Sequence, residues 1–341
     1  MQRLVAVMLL AVPTLGAQHT RLAPPAHFQK LAHTYSIVAR DPVTGDLGVA
    51  VQSKFPNVGG IVPWAKAGIG AVATQSLAGT QYGEEGLALM AQGATAEEAL
   101  RIVMRRDTML GDRQVGMVDA HGNAASFTGE RTFDWAGGRV GTPGVAGGRE
   151  GGKGAVLVGR DYAVQANIMV SDATVRAMAA SFEGSTGSLA DRLLAALQAG
   201  QAAGGDKRGV QSAAILVVRA NGGYLGNNDR LVDIRVYDAV DPIAETARLL
   251  ALHKLHFFPS EPGDLVELTP ALVARLVPIL RAEPVGGAEK WLRDAPTTAT
   301  PAFLAALRDF MYWENYDVRV RMDGKIDRVV LQDILTKRGL K

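Results

Sequence analysis

Residues that could carry out chemistry are sparse in this sequence. The chain of 341 residues contains six His and no Cys. Without Cys, disulfides, thiolate zinc sites and Cys nucleophiles are all excluded. The His residues have no spacing typical of a Ser–His–Asp triad. A histidine-based hydrolytic site is therefore not indicated.

Two short patterns resemble ligand-binding motifs but are incomplete. Gly147 to Lys153 has the GxxxxGK spacing, but Gly154 replaces the Ser or Thr that a phosphate-binding loop needs. His253 and His256 are three residues apart on a predicted helix, and no third metal ligand lies nearby in the sequence. We therefore expect neither a metal nor a cofactor.

The charge distribution excludes one class of partner. The formal net charge is +2, and the sequence has no long basic run or Arg/aromatic stripe. A nucleic-acid-binding protein is expected to carry such a basic footprint. We therefore expect no nucleic-acid partner.

The N-terminal residues have the pattern of a secretory signal. Arg3 precedes the mostly apolar run Leu4–Leu15, and the small residues Gly16–Ala17 follow. We predict a signal peptide over residues 1–17 and a spacer or propeptide over residues 18–33. The alternative is an uncleaved membrane anchor, although the run is short for a membrane span. The expected location is periplasmic or extracellular. A chain without Cys is compatible with such an oxidising compartment.

Strands and helices are predicted to occur in blocks. The predicted strands are Tyr35–Arg40, Gly48–Gln52, Gly60–Val62, Gly70–Gln75, Gln114–Asp119, Ala124–Thr128, Tyr162–Val170, Gln211–Arg219 and Leu231–Val236. The predicted helices between and after them are Glu84–Gln92, Thr95–Arg106, Asp172–Phe182, Leu189–Ala202 and Pro242–His256. The Gly-rich stretch Gly137–Gly154 has too few side chains to predict an element.

This order favours an α+β fold over a Rossmann fold or a barrel, in which strands and helices alternate. Several strands are apolar on both faces, so both faces of each sheet should be covered. Two stacked sheets between two helix layers, an αββα sandwich, satisfy that requirement.

A smaller second domain is predicted after a linker. Pro259–Asp264 has linker composition, and the short helices predicted beyond it are Pro270–Arg281, Ala288–Asp294, Pro301–Glu314 and Arg328–Arg338. We predict a main domain over residues 34–258 and a small, mainly helical domain over residues 262–341.

Several runs in the main domain resemble the family called domain of unknown function 1028. The runs are Thr34–Asp41, Gly48–Val51 and Val62–Gln75, with further matches at Tyr82–Gly83, Gly86–Leu87, Arg113–Gln114, Gly205–Ala213 and Val232–Val236. The resemblance covers residues 33–255. That family is grouped by fold with the N-terminal-nucleophile (Ntn) hydrolases, and its reaction is not established. The resemblance therefore implies a four-layer αββα architecture more than a chemistry.

The C-terminal region resembles a peptidoglycan-binding domain. The residues that carry the resemblance are Trp313–Tyr316, Arg319 and Asp323–Asp327. It implies peptidoglycan as a partner. Trp313, Tyr316 and Phe310 could stack on glycan, but their helical spacing favours core packing.

An Ntn site, if the resemblance extends to chemistry, uses the first residue of the mature chain. Thr34 immediately precedes the first predicted strand and is the candidate nucleophile, after cleavage between His33 and Thr34. Its free α-amino group, with an ordinary pKa of about 7.7–8.0, would act as the base. Ser36 shares the face of Thr34 and could support the amine or be the nucleophile in a shifted register.

Other candidate site residues follow from the same implied chemistry. Lys54 or Lys66 could supply a cation that lowers the pKa of the amine. Hydrogen bonds to an oxyanion could come from Gln75, Asn167 or Gln211, or from backbone amides beside Gly79. Asp206 and Ser212 could orient the amine. The second strand offers no carboxylate where proteasome-like sites carry an acid, and each of these residues could equally be structural.

Two main hypotheses about function follow. The first is an exported Ntn-type amidohydrolase that acts on a small amide or peptide-like substrate and is held near the cell wall by its C-terminal domain. The second is a non-catalytic exported protein that reuses the fold to bind the cell wall. A structural homo-oligomer is a third alternative.

Overall fold

The structure, a computed structural model, describes residues 34–142, 145–283 and 295–340. The predicted signal peptide, the predicted spacer and the predicted helix Ala288–Asp294 lie outside these residues. Within the described ranges, no helix is both long and apolar enough to cross a membrane. The fold is mixed α and β, with antiparallel sheets and eight α-helices in the described part of the chain.

The first sheet has seven antiparallel strands. They are β1 (Thr34–Arg40), β2 (Leu47–Ser53), β7 (Ala136–Thr142), β8 (Val145–Gly151), β10 (Tyr162–Asn167), β11 (Ser212–Val218) and β12 (Arg230–Val236). Their order across the sheet is β12-β11-β2-β1-β10-β7-β8, so β1 is central and β12 is terminal.

The second sheet has five antiparallel strands. They are β3 (Pro63–Lys66), β4 (Gly70–Ser76), β5 (Arg113–Asp119), β6 (Asn123–Thr128) and β9 (Val156–Arg160), in that order across the sheet. The predicted strand Gly60–Val62 is wrong, because Val58–Gly60 forms a 3-10 turn and the strand begins at Pro63.

The Gly-rich stretch predicted to form no element instead contains β7 and β8. Its glycines are needed where backbone approaches neighbouring atoms closely. A Cβ at Gly138 would lie 2.8 Å from Ser126 Oγ and 2.9 Å from the Val164 carbonyl oxygen. The few side chains in this stretch therefore reflect tight packing between strands rather than the lack of an element.

Helices cover the outer face of each sheet. α1 (Gln81–Ala91) and α2 (Ala96–Met104) pack on the five-stranded sheet, while α3 (Ala173–Gly184), α4 (Leu189–Ala202) and α5 (Pro242–Phe257) pack on the seven-stranded sheet. The predicted capping box of Thr95 and Glu98 is present at the start of α2. Pro242 lies in the first turn of α5, as predicted.

The alternation of side chains along β1 divides the core into layers. Tyr35 and Ile37 join the apolar cluster under α3 to α5, whereas Val38 joins a second cluster that lies between the two sheets. Both faces of the central strands are therefore buried, which explains the apolar run Ile37–Ala39 in β1.

The C-terminal region forms its own apolar cluster. It contains α6 (Pro270–Ala282), α7 (Pro301–Trp313) and α8 (Arg328–Lys337), with a short hairpin of β13 (Leu265–Glu267) and β14 (Lys325–Asp327). The three helices agree with the predicted ones to within a residue at each end, whereas the hairpin was not predicted. Phe310 and Tyr316 are buried in this cluster, so they pack in the core and do not present a surface for glycan.

One buried guanidinium attaches this region to the end of α5. Arg319 Nε donates to the Leu255 carbonyl at 2.9 Å, and its Nη2 donates to the Lys254 carbonyl at 2.8 Å. Its Nη1 pairs with Asp327 Oδ2, and the Arg319 side chain is only 7% exposed. A cation here satisfies carbonyls at the negative end of the helix dipole.

Replacing Arg319 by Met should destabilise the whole chain. The variant leaves the buried Asp327 carboxylate without its ion pair and two α5 carbonyls without donors, so we expect a loss of about 3 kcal/mol in the free energy of unfolding. The matched control is Arg321→Met, which removes the exposed Arg321–Asp323 pair and should cost less than about 1 kcal/mol. Urea unfolding of both variants measures the difference, and equal losses would contradict the anchoring role of Arg319.

Candidate functional site

A row of polar residues crosses the seven-stranded sheet at the end where β1 begins. Thr34 pairs in register with Ser53 on one side and with Asn167 on the other, and Ser53 also pairs with Ser212. Residues paired in register point to the same face of a sheet. Thr34 and Ser36 share the face of Val38, so this row faces the second sheet.

Thr34 is held by hydrogen bonds from both sheets. Its Oγ1 donates to Ser53 Oγ at 3.1 Å. Its carbonyl oxygen accepts from Gln75 Nε2 at 3.0 Å and from Asn167 Nδ2 at 3.4 Å. Thr34 is 3% exposed, so both its hydroxyl and its carbonyl lie in the interior.

Gln75 and Gln114 connect the two sheets through side-chain amides. Gln75 Nε2 has two hydrogens and three oxygens within reach: Gln114 Oε1 at 2.7 Å, the Thr34 carbonyl at 3.0 Å and the Gln165 carbonyl at 3.3 Å. The two shorter distances mark the stronger hydrogen bonds. Gln114 Oε1 also accepts from Asn167 Nδ2 at 2.8 Å.

The orientation of the Gln114 side-chain amide is fixed by neighbouring groups that can accept hydrogen bonds but not donate them. Its Nε2 lies 2.9 Å from the Ala166 carbonyl and 3.2 Å from the Gly137 carbonyl. Because a carbonyl oxygen has no proton to donate, the nitrogen has to face these atoms and the oxygen has to face Gln75 and Asn167. The network is therefore self-consistent.

Ser36 forms a second branch of the network. It donates to Gln75 Oε1 at 2.6 Å and accepts from Gln165 Nε2 at 2.5 Å. Gln165 fits because residue 116 on the opposite sheet is glycine: a Cβ there would lie 2.1 Å from Gln165 Oε1. Gly116 therefore provides the space for the Gln165 amide.

Some buried polar atoms between the two sheets make no hydrogen bond within the described ranges. They are Asn167 Oδ1, Gln165 Oε1 and Ser126 Oγ. An unpaired buried acceptor costs about 1–3 kcal/mol, so each such atom calls for an explanation, and a functional role is one of them. Asn167 Oδ1 is of most interest because Asn167 is the register partner of Thr34.

Asp206 lies at the same end of the sheet. Its Oδ2 accepts from the Lys54 amide at 3.3 Å, and its backbone pairs with Met169. Lys54 follows β2 and Met169 follows β10, the two strands that flank β1. The loop that carries Asp206 therefore spans the ends of the strands on both sides of Thr34. Asp206 is buried and forms an ion pair with Arg208 at 2.8 Å.

The structure separates two of the sequence-predicted residues from this network. Lys66 ends β3 and pairs with Gly70, at the opposite end of β4 from Gln75, and it is exposed. Gln211 precedes β11, where its backbone N–H donates to the Ser53 carbonyl at 3.1 Å, and its side chain is half-buried. Thr34, Ser36, Gln75 and Asn167 are brought together, with Asp206 at the same sheet end.

Sequence reasoning missed Gln114, Gln165, Ser53 and Thr128. Thr128 Oγ1 accepts from Gln114 Nε2 at 2.9 Å. A signal was present in the strands themselves, because Gln165 lies between the apolar residues Val164 and Ala166. A Gln inside a strand that is buried on both faces must find buried partners.

Within the described ranges, the side chains seen to hydrogen-bond around Thr34 are all neutral. They belong to Thr, Ser, Gln and Asn residues, and no group of three or more metal-ligating side chains occurs in the part of the chain that the structure describes. A charged pair lies next to this network at Arg113, the residue before Gln114. Burial alone would raise the pKa of Asp107, but hydrogen bonds from Arg113 and from the Met109 amide hold it below its ordinary value. Arg113 is thus committed to an ion pair.

Comparison with known proteins identifies similar chains without assigning a reaction. The model of a family described as "Family of unknown function (DUF1028)" matches residues 34–149 and 145–246. The crystal structure of protein SPO2555 from Silicibacter pomeroyi, described with the same family, is 28% identical with a TM-score of 0.55; the alignment covers 65% of this chain and 89% of that one. No curated protein matches the chain.

Replacing Gly116 by Ala should destabilise the protein through Gln165. The added methyl group forces the Gln165 amide to move and breaks its bond to Ser36, so we expect a loss of about 2 kcal/mol. Gly184→Ala is the matched control, because a Cβ at that position meets nothing within 4 Å, and it should be neutral or slightly stabilising.

A double-mutant cycle with Gln165→Ala tests the cause. In the Gln165→Ala background, Gly116→Ala should cost less, since the displaced amide is already absent. Chemical unfolding of the four proteins measures the coupling energy. An unchanged cost of Gly116→Ala in that background would rule out this explanation.

Proposed function

The chain belongs to the DUF1028 family, whose function is unknown, and from that premise we propose that it is an exported Ntn-type amidohydrolase with Thr34 as its nucleophile. Its substrate would be a small amide or peptide-like molecule. The C-terminal region would hold the enzyme near the cell wall.

The stacking of the elements supports the Ntn part of this proposal. Apolar clusters lie between α3–α5 and the seven-stranded sheet, between the two sheets, and between the five-stranded sheet and α1–α2. This order is the one expected of a four-layer αββα sandwich. We propose that it is the Ntn-hydrolase arrangement, in which the nucleophile begins a central strand and faces the opposite sheet.

The position of Thr34 is the observation that carries the proposal. It is the first residue of the central strand β1, and its hydroxyl faces the space between the sheets. Hydroxyl and amide side chains surround it there, where the rest of the inter-sheet layer is apolar. Burying such groups costs free energy unless they are all paired, so a purely structural role would be met more simply by apolar residues.

The proposed reaction begins with cleavage between His33 and Thr34, which frees the α-amino group. That amine takes the proton from Oγ1 as Oγ1 attacks the substrate carbonyl carbon. The C–N bond then breaks, the leaving amine takes up the proton, and an ester on Thr34 remains. Water hydrolyses the ester to release the acid and restore the hydroxyl.

Neighbouring residues would position the nucleophile rather than react. Gln75 and Asn167 fix the Thr34 carbonyl, so they set the orientation of its Cα and hydroxyl. Asn167 Oδ1 offers an unpaired acceptor for an N–H of the amine or the substrate. Asp206, held by its ion pair with Arg208 at the ends of the flanking strands, would help to orient the amine where it emerges.

A specific observation favours the alternative, a non-catalytic binding protein. No carboxylate or lysine belongs to the hydrogen-bonded network around Thr34 in the described residues. General acid–base catalysis needs a group that changes protonation near the working pH. Unless Thr34 has a free amine, the network provides none, and the fold would serve binding alone.

The N-terminus of the exported protein and the activity of Thr34 variants test the choice. We expect intact mass and N-terminal sequencing to place the start of the mature chain at Thr34. A start at residue 18 would leave the Thr34 nitrogen acylated and favour the binding protein.

With a panel of acyl p-nitroanilides as substrates, Thr34→Ala should lower any hydrolysis by at least about a thousandfold, because the attacking oxygen is lost. The control is Thr174→Ala, a buried Thr in α3 whose hydroxyl makes no hydrogen bond within the described ranges. It should keep full activity. Hydrolysis that persists in Thr34→Ala would end the assignment of Thr34 as nucleophile.

The proposed wall contact is tested with the full-length protein. Trp313 is 66% exposed at the end of α7, so it is the aromatic residue of this region best placed to meet glycan. Trp313→Ala should reduce co-sedimentation with purified peptidoglycan several-fold, since an exposed aromatic anchor commonly dominates binding. Tyr237→Ala, an exposed aromatic residue of the main domain, should not. Equal co-sedimentation of both variants would remove this role of the C-terminal region.

A further inference from the structure

A groove of about 980 Å³ lies between the main domain and the C-terminal region. Its walls are β12, the loop between β11 and β12, the second half of α5, and the turn around Asp317. We call it the β12 groove. It is large enough for a small ligand or a short peptide.

The groove follows the edge of β12 rather than one face of the sheet. Arg230, Leu231, Asp233, Ile234 and Arg235 all line it. Successive residues of a strand point to opposite faces, so a surface lined by neighbouring residues of both faces must run along the edge. His253 of α5 donates Nε2–H to the Leu231 carbonyl at 2.8 Å, which fixes the helix beside the strand.

This edge of β12 has no strand partner in the described part of the chain. β12 is the terminal strand of the seven-stranded sheet and pairs with β11 alone. Such an edge presents backbone N–H and C=O groups that can pair with another extended chain. The Leu231 carbonyl is already bonded to His253, and an extended peptide can pair with the remaining groups of the edge, which a compact ligand cannot do.

Apolar side chains are exposed along the same groove. Tyr224 is 66% exposed, Leu225 79% and Phe257 51%, and all three line it. Tyr224 and Phe257 meet edge to face with ring centroids 6.4 Å apart. Leu225 holds a positive φ of 53° in the β11–β12 loop, a conformation that costs free energy for a non-Gly residue. A strained loop that presents apolar residues to solvent is typical of a contact surface.

The charges on opposite walls of the groove complement those of a peptide. On β12, Arg230 and Arg235 share the single carboxylate of Asp233, so this wall carries an excess of positive charge. On the C-terminal side, Asp317 makes no ion pair within the described ranges and lines the groove. A peptide segment with an acidic group toward β12 and a basic group toward Asp317 would match both walls.

We propose that the β12 groove binds a peptide segment in extended conformation, which adds an eighth strand antiparallel or parallel to β12. Backbone hydrogen bonds to the strand edge give affinity. The rings of Tyr224 and Phe257 receive alternate apolar side chains, as in other cases of strand addition. β12 is separated from β1 by β11 and β2, so this site is distinct from Thr34 and does not depend on the proposed hydrolysis.

The experiment uses the full-length chain and a defined set of probes. Overlapping peptides of seven residues, the length of β12, are prepared to cover unfolded casein and are screened as an array. The best binder is labelled, and its affinity is measured by fluorescence anisotropy. We expect an affinity in the micromolar range for peptides with alternating apolar residues.

N-methylation of the peptide separates strand addition from other modes of binding. Methylating the backbone nitrogens that face β12 removes donors and should weaken binding at least about tenfold, whereas methylating the alternate nitrogens should have little effect. Tyr224→Ala and Phe257→Ala should each weaken binding about tenfold. Tyr312→Ala, an exposed aromatic residue outside the groove, should not.

Each contrary outcome overturns the proposal. Peptide binding that is insensitive to Tyr224→Ala would place the peptide elsewhere, and equal effects of all N-methyl positions would exclude strand addition. Binding of chitotriose in place of peptides would assign the groove to glycan. Sedimentation that shows a dimer broken by Tyr224→Ala would assign it to a second copy of the chain. No peptide binding tighter than about 1 mM would remove the site.

Discussion

A buried side-chain amide needs partners for two N–H groups and a carbonyl oxygen, and four such amides lie between the two sheets where β1 begins. Their N–H groups find acceptors in one another, in Ser36 and in backbone carbonyls, whereas two of their oxygens make no hydrogen bond within the described ranges; the four residues are Gln75, Gln114, Gln165 and Asn167. Because each unpaired amide group would cost about 1–3 kcal/mol, the network dictates the register of the sheets at this end. It also holds Thr34 in one orientation and explains why position 116 has no side chain.

The same network limits the chemistry that this end of the sheets can perform. Amides and hydroxyls orient groups and stabilise charge, but they do not change their protonation state near neutral pH. Catalysis at Thr34 would therefore depend on whether its nitrogen is free, which is a question of chain processing rather than of side-chain geometry. The two functional hypotheses differ in this one covalent bond, between His33 and Thr34.

The C-terminal region bonds to and packs against the end of α5 in the main domain, unlike a module that is joined only by a linker. Arg319 caps the end of α5, and Leu255 of α5 packs in the C-terminal apolar cluster. The docking of this region also completes the β12 groove, since Asp317 and Val318 form part of its wall. Contacts that hold α5 in place therefore also shape a surface that neither region forms alone.

The sequence by itself determined the order of strand and helix blocks, the capped start of α2 at Thr95, and the placement of Thr34 and Ser36 on one face of β1. These follow from local rules: side chains alternate along a strand, and caps satisfy the first N–H groups of a helix. Tertiary structure alone decided that β7 and β8 form within a Gly-rich stretch, that Gln114 and Gln165 join Gln75 and Asn167, and that Lys66 lies apart from them. The physical reason is that these outcomes depend on which residues face one another across two sheets, and pairings between residues distant in sequence leave no periodic signal in either segment.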